Sequence, residues 1–189
     1  MEYKLNDVQE KLLERHIIDI KGEVEKPMFG YVRTALTYMI AKGWPDITVT
    51  LTSDGGDGIA AFMIYELLRM YADKAQVTGQ VVGYAHSAAA MILQACDKRI
   101  AHEHCQMRIH FGRDYYGQEE ILDDAKYKAL RDRLEKEIQP VLKLYDRCTL
   151  PPGELRAILL SNPLLGAEEA LKYGFIDEIY KAKSKKRKE

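Results

Sequence analysis

One segment of this chain is typical of a strand that runs directly into a glycine break and then a helix. Residues 46–52 (DITVTLT) place three branched apolar side chains on one side and threonines on the other, which is the two-residue period of a half-buried strand. The break at 53–58 (SDGGDG) ends the strand, and the apolar spacing of 59–71 predicts a helix. This order predicts a sheet with helices packed on it.

The alternation of strand and helix continues along the chain. Further strands are predicted at residues 15–22, 76–83, 99–101 and 107–110, and further helices at residues 29–42, 87–95, 119–147, 154–160 and 167–173. The helix at 119–147 is the longest, and Pro140 inside it predicts a kink or a split. Because no linker or repeat interrupts the pattern, we predict one α/β domain over residues 1–180 and a basic, flexible tail over 181–189.

The bulk composition excludes some classes of partner but selects no function. A net charge of −1 gives no reason to expect nucleic acid, and no apolar stretch approaches the roughly 18 residues of a membrane span. The three cysteines, an odd number without a CxxC pair, favour free thiols in a reducing cytoplasm. His102, His104 and Cys105 lack a second ligand cluster, so we expect neither a metal nor another cofactor.

Three positions could carry chemistry, each at the end of a predicted strand. Gly55 and Gly56 leave backbone amides unobstructed at a helix N-terminus, where amides bind an oxyanion or a phosphate. Ser87 stands among small residues (GYAHSAAA, 83–90), where a tight turn between strand and helix can expose its hydroxyl. His110 ends the apolar segment MRIH. The order of glycine pair, serine and histidine predicts an oxyanion site, a nucleophile and a base.

Each of these residues also has an ordinary structural interpretation. The glycine pair could form a simple turn, Ser87 could be a helix N-cap, and His110 could be a satisfied polar residue. His86, directly before the serine, is an alternative base, although neighbours along a chain usually point apart. Only the combination of the three positions favours catalysis.

Five segments together resemble the ClpP family, the proteolytic subunits of Clp protease. They are RHIIDIKGEV, LTSDGGDGIAAFMIYELL, GQVVGYAHSAAAMILQACDKR, MRIHFG and GAEEALKYGFIDEI, in register from about Leu12 to Tyr180. The resemblance implies a ClpP/crotonase-like fold, with stacked ββα units in a right-handed spiral and a protruding handle helix from Glu119 onward. It also implies a homo-oligomer of two stacked rings and an ATP-driven unfoldase that supplies unfolded polypeptide.

The resemblance also implies roles for individual residues. Ser87 would be the nucleophile and His110 the base of a serine endopeptidase, and the backbone amides of Gly56 and Ala88 would form the oxyanion hole. The third member of the family's catalytic triad, an aspartate, falls on Asn162, counted back from the segment GAEEA. An asparagine oxygen can orient the histidine but cannot neutralise the imidazolium, which predicts a slow enzyme.

Other departures from the family pattern concern coupling and substrate alignment. Leu160 and Ser161 replace an acidic–basic pair that links ring contact to activity. Asp54 replaces a proline, and Phe111-Gly112 replaces Gln-Pro. Three alternatives stay open: a weak or inactive paralogue that assembles with an active partner subunit, a phage-type head maturation protease, and an acyl-CoA enzyme of the crotonase group. The predicted serine–histidine pair argues against the last of these.

Overall fold

A computed structural model describes residues 3–111 and 124–182, with side chains throughout except at 124–131, 134 and 137. The strands are β1 (Ile17–Val24), β2 (Ile47–Gly56), β3 (Val77–His86), β4 (Lys98–His102), β5 (Gln106–Arg108), β6 (Leu164–Gly166) and β7 (Glu178–Tyr180). The helices are α1 (Asp7–Leu13), α2 (Lys26–Ala41), α3 (Gly58–Ala72), α4 (Ala88–Leu93), α5 (Asp124–Leu144), α6 (Pro152–Ser161) and α7 (Ala167–Lys172).

Strands and helices alternate as the sequence predicts, and the α/β class is confirmed. The strands β6 and β7 are additional, since three residues are too few to show a two-residue period. The predicted split at Pro140 is wrong: α5 runs through this exposed residue, where water can solvate the carbonyl that loses its partner. The helix ends at Leu144 rather than Arg147, and its predicted start at 119–123 lies outside the described residues, as does the tail from 183.

One mixed sheet brings the ends of three strands together. Its order is β1-β2-β3-β4-β7, and these strands pair in parallel. The first half of β3 pairs with β4, but its last residues, from Tyr84 to His86, pair in parallel with β5, which continues the sheet beyond β4. β6 then adds antiparallel to β5. The carboxyl ends of β2, β3 and β5 therefore meet at one edge, where parallel sheets usually place their ligands.

The helix that follows β3 is buried on all sides. All six residues of α4 are buried, and the helix contacts α3, β2 and β3. The three alanines at its start allow this close approach, because a methyl group fills little space between packed backbones. The turn that leads into α4 is consequently anchored in the core of the protein. Within residues 3–111 and 124–182, no helix is long and apolar enough to cross a membrane.

A buried ion-pair network ties β4 to the segment before β7. Arg99 is 2% exposed and donates to the Asp177 carboxylate from Nε at 3.1 Å and from Nη2 at 2.6 Å. Its Nη1 donates to Gln94 at 2.6 Å, and Arg147 adds a 3.0 Å contact to Asp177. Burial alone would raise the pKa of Asp177, but its hydrogen bonds to Arg99 and the charges of both arginines outweigh that effect and lower it.

We expect Asp177→Asn to lower the free energy of unfolding by about 2–3 kcal/mol at neutral pH, because Arg99 would lose its buried counter-charge. This is less than for a fully buried pair, since the Asp177 side chain is 32% exposed. A depressed folded-state pKa makes this stabilisation complete at neutral pH and removes it as the pH falls below about 4. Urea unfolding at neutral pH and near pH 3 measures the effect, with the exposed Asp73→Asn as control. If the difference in the free energy of unfolding between Asp177→Asn and wild type were the same at neutral pH and near pH 3, the prediction would be contradicted.

Candidate active site

Ser87 occupies a strained turn between β3 and α4. Its backbone angles, φ 50° and ψ −116°, lie in a region that residues with a side chain rarely adopt. Its amide donates to the carbonyl of Arg108 at 2.7 Å, which fixes the turn to β5. Ser87 stands at the N-cap position of α4, but its side chain makes no capping hydrogen bond. A strained turn that presents a serine hydroxyl at a strand-to-helix junction is the local geometry of an activated nucleophile.

Gly55 of the glycine pair packs directly against this turn, and Gly56 packs against β1. Gly55 has φ +99°, and a Cβ added there would lie 2.7 Å from the carbonyl oxygen of His86 and 2.7 Å from the Cβ of Ser87. Gly56 has φ +146°, and a Cβ added there would overlap the backbone of Val24 in β1. Both positions therefore require glycine, for the backbone conformation and for the close approach. The two strand ends lie in contact at the nucleophile turn.

His110 follows β5, whose pairing with β3 brings the end of β5 to the same turn. In this parallel ladder His86 lies opposite Arg108, the last residue of β5, whose carbonyl accepts the Ser87 amide, and His110 comes two residues later in the chain. Met107 and Ile109 are buried in the core. Because side chains alternate along an extended chain, those of Arg108 and His110 point to the other side. Among the described residues no hydrogen bond joins the Ser87 hydroxyl to the His110 ring; such bonds often tighten only when substrate binds.

The tautomer of His110 follows from its backbone contact. The Nδ1 atom is hydrogen-bonded to the carbonyl oxygen of Phe111. Because a carbonyl only accepts, Nδ1 of the neutral ring carries the proton and Nε2 keeps its lone pair. A histidine in this tautomer can accept a proton at Nε2, as a general base must.

Asn162 lies between α6 and β6, the strand that pairs with β5, but no hydrogen bond joins its side chain to that of His110. The β5–β6 ladder ends at the pair of Arg108 and Leu164, so His110 and Asn162 each lie two residues beyond its last pair. Asn162 caps α6 in the left-handed conformation (φ 51°, ψ 52°), which asparagine tolerates better than most residues. Its Oδ1 is buried and lacks a hydrogen-bond partner in the described structure. The position of Asn162 is compatible with a group that orients His110. The hydrogen bond to Nδ1 of His110, however, is made by the carbonyl of Phe111.

His86 forms a pair that the sequence does not predict. Its Nδ1 lies 3.2 Å from Oδ1 of Asp54 in β2, and its ring lies 5.2 Å from that of Tyr84. The two partners are 32 residues apart in sequence, and each directly precedes a part of the predicted site. No described hydrogen bond connects the His86 ring to Ser87. Within residues 3–111 and 124–182, no three His, Cys, Asp or Glu side chains are grouped to hold a metal ion.

A strained serine, a histidine with a free Nε2 and a glycine turn on an α/β scaffold define the class of serine-type hydrolases. The sequence profile of the Clp protease family matches residues 1–183. The chain belongs to the Clp protease family. The fold class, the resemblance and the serine-type peptidase activity predicted from the sequence are thereby confirmed, and the protein is a protease subunit of the ClpP type.

Curated relatives agree with this assignment at low identity. The ATP-dependent Clp protease proteolytic subunit of Deinococcus radiodurans is 28% identical over 92% of this chain and 84% of its own length. Proteolytic subunit 2 of the ATP-dependent Clp protease of Chlamydia muridarum is 30% identical over 92% of this chain and 84% of its own length. Proteolytic subunit 1 from Corynebacterium efficiens is 28% identical over 90% and 81%.

Proposed function

We propose that this chain cleaves polypeptides through an ester formed on Ser87. The observation that carries the proposal is the strained backbone of Ser87, fixed between Gly55 and Arg108. Such a turn supports attack by the hydroxyl oxygen on a peptide carbonyl, with the proton passing to Nε2 of His110. The same proton then reaches the departing amine, and water hydrolyses the ester with His110 as base again.

The negative charge of each tetrahedral intermediate needs donors that are already in place. We assign this role to the backbone amides of Gly56 and Ala88. Ala88 is the first residue of α4, and the first amides of a helix have no partner within that helix. Because Gly55 has no side chain, the end of β2 can contact the turn after β3. This contact supports the convergence of the Gly56 and Ala88 amides on one oxygen. One such donor contributes roughly 10²–10³ in rate.

The relatives are named as subunits of an ATP-dependent protease, and we propose the same kind of assembly here. The partners would be further copies of this chain, in two stacked rings, and an ATPase that unfolds the polypeptide substrate. Ile59, Met63 and Met70 support an interface, because these exposed side chains lie along one face of α3. The three cysteines are unpaired, which supports a reducing, cytoplasmic setting.

The direct test is hydrolysis of a fluorogenic peptide and of an unfolded protein by the purified chain, with Ser87→Ala as the control. Activity in the wild type that disappears in Ser87→Ala is the expected result. Hydrolysis that survives in Ser87→Ala would remove Ser87 from the role of nucleophile. The lack of a hydrogen bond from Asn162 to His110 favours a second candidate, a paralogue that becomes active only beside a partner subunit. In that case the chain alone would be inactive, and hydrolysis that depends on its Ser87 would appear after mixing.

We expect Asn162→Asp to raise kcat by roughly tenfold or more with little effect on KM, because a carboxylate at this position would stabilise the His110 imidazolium that forms only during reaction. The gain is smaller than the roughly 10⁴ lost in the trypsin-type aspartate-to-asparagine exchange, since Phe111 already fixes the tautomer of His110. Steady-state peptide hydrolysis measures both constants. The matched control is Asn6→Asp at the N-cap of α1, where either residue caps the helix. An unchanged or lower kcat in Asn162→Asp would mean that another residue is the third member.

A further inference from the structure

Arg108, two residues before His110, and His86, directly before Ser87, lie side by side on one face of the sheet. They are direct partners in the parallel β3–β5 ladder. Their neighbours Ala85 and Met107 are fully buried in the core, so His86 and Arg108 project from the opposite face. Arg108 is the last residue of β5, and two residues of fully extended chain span about 7 Å, so His110 lies within about 7 Å of Arg108.

Each of the two side chains holds a buried nitrogen without a hydrogen-bond partner. Arg108 Nε and His86 Nε2 have negligible solvent exposure, and no described atom bonds to either. Arg108 also makes no ion pair with any described residue. Buried polar groups in native proteins almost always have a partner, so the unpaired Nε–H of Arg108 points to a ligand that accepts a hydrogen bond from it. His86 offers no donor for such a ligand, because its Nδ1 donates to Asp54 and Nε2 of the neutral ring is an acceptor. Both residues adjoin Ser87, whose amide is bonded to the Arg108 carbonyl.

The surroundings of Arg108 determine the charge of that ligand. Across the β5–β6 ladder its partner is Leu164, whose side chain offers no acceptor. On the other side, Asp54 is bonded to Nδ1 of His86, and the Asp54 side chain is 82% exposed. Water therefore screens the charge of Asp54. No carboxylate in the part of the chain that the structure describes pairs with Arg108, and a guanidinium binds a planar carboxylate with two parallel hydrogen bonds.

We propose that Arg108 forms an anion-recognising subsite that selects a carboxylate of the peptide close to the scissile bond. The subsite rests on the proposed peptidase function. A spacing of at most about 7 Å corresponds to no more than about two residues of extended chain, so the carboxylate belongs to a residue within two positions of the bond. It is the side chain of an aspartate or glutamate there, or the free carboxyl terminus of a peptide that ends there.

Paired, internally quenched peptides test the subsite and distinguish these two sources. In the first series one position near the bond is Glu or Gln, and the peptide ends in an amide. In the second series a neutral peptide ends within two residues of the bond in either a carboxylate or an amide. The readout is the ratio of kcat/KM within each pair, with cleavage sites identified by mass spectrometry. The same pairs are compared as competitors of fluorophosphonate labelling of Ser87, which requires binding but no turnover.

We expect the wild type to favour the carboxylate in one series by roughly tenfold. Arg108→Gln should reduce that ratio to within about twofold of unity, and Arg108→Lys, which keeps the charge, should retain part of it. The matched control is Arg15→Gln, an exposed arginine before β1, which should keep the wild-type ratio. Because each ratio is taken within one variant, it does not depend on the amount of correctly folded enzyme.

Two results would overturn the subsite: a wild type without preference for a carboxylate in either readout, or a preference that survives in Arg108→Gln. The peptidase function fails separately. A small fluorophosphonate carries no peptide side chain, so a wild type that it labels at Ser87 but that shows no preference lacks only the subsite. A wild type that is not labelled at Ser87, either alone or with candidate partner subunits, loses the proposed nucleophile and, with it, the subsite.

Discussion

Replacing His110 with glutamine is expected to lower kcat for a neutral peptide by roughly 10⁵–10⁶, the loss seen when a member of a serine-type catalytic unit is removed. The physical reason lies in its tautomer. The Phe111 carbonyl holds the proton on Nδ1, so the Nε2 lone pair is the group that receives the Ser87 proton. A glutamine at this position offers no basic nitrogen. Peptide hydrolysis and the rate of fluorophosphonate labelling should both fall.

The matched control for this prediction is the other histidine at the site. His86→Gln removes an imidazole that is bonded to Asp54 and has no described bond to Ser87. We expect kcat for the same neutral peptide to stay within roughly tenfold of the wild-type value. If His86→Gln is the inactive variant and His110→Gln retains activity, His86 is the base and the assignment of His110 is wrong.

Adding one methyl group at Gly55 is expected to lower kcat/KM by roughly 10²-fold or more. The added Cβ would lie 2.7 Å from both the His86 carbonyl oxygen and the Ser87 Cβ, so the nucleophile turn must shift. The positive φ of Gly55 adds backbone strain to this overlap. A displacement of about an ångström is enough to separate the serine from its base and from the oxyanion donors.

Gly58→Ala is the matched control in the same loop. Gly58 begins α3, and a Cβ added there meets no atom within 4 Å. We expect this variant to keep the wild-type kcat/KM and to unfold at the same or a slightly higher temperature, because alanine favours the helix. Equal activities of Gly55→Ala and Gly58→Ala would show that the contact between Gly55 and Ser87 does not position the nucleophile.

The strands and helices that carry the site could be predicted because each has a local signal. The alternation in β2, the glycine pair and the small residues before α4 are visible in short segments of sequence. The register between strands has no such signal. Arg108, two residues before His110, contacts Ser87 because β3 changes its partner from β4 to β5 part of the way along its length, which is decided by packing of the whole sheet.

The remaining features depend on contacts between distant parts of the chain. β6 is three residues long, so no periodicity marks it, although its pairing with β5 brings the segments that hold Asn162 and His110 to the same end of the ladder. The pairing of Asp54 with His86 and the unpartnered Arg108 Nε follow from which side chains share one face of the assembled sheet. The sequence indicates Ser87 as a possible helix cap, and only the backbone geometry shows that its hydroxyl is not used in that way.

The nucleophilic character of Ser87 is tested most directly by intact-mass measurement after incubation with a fluorophosphonate. We expect a single adduct on the wild-type chain, mapped to Ser87, and none on Ser87→Ala. The strained turn that presents the hydroxyl is present in the chain by itself, so labelling should not require an unfoldase. An adduct of the same size on Ser87→Ala, or a wild type that stays unlabelled both alone and with candidate partner subunits, would contradict the assignment.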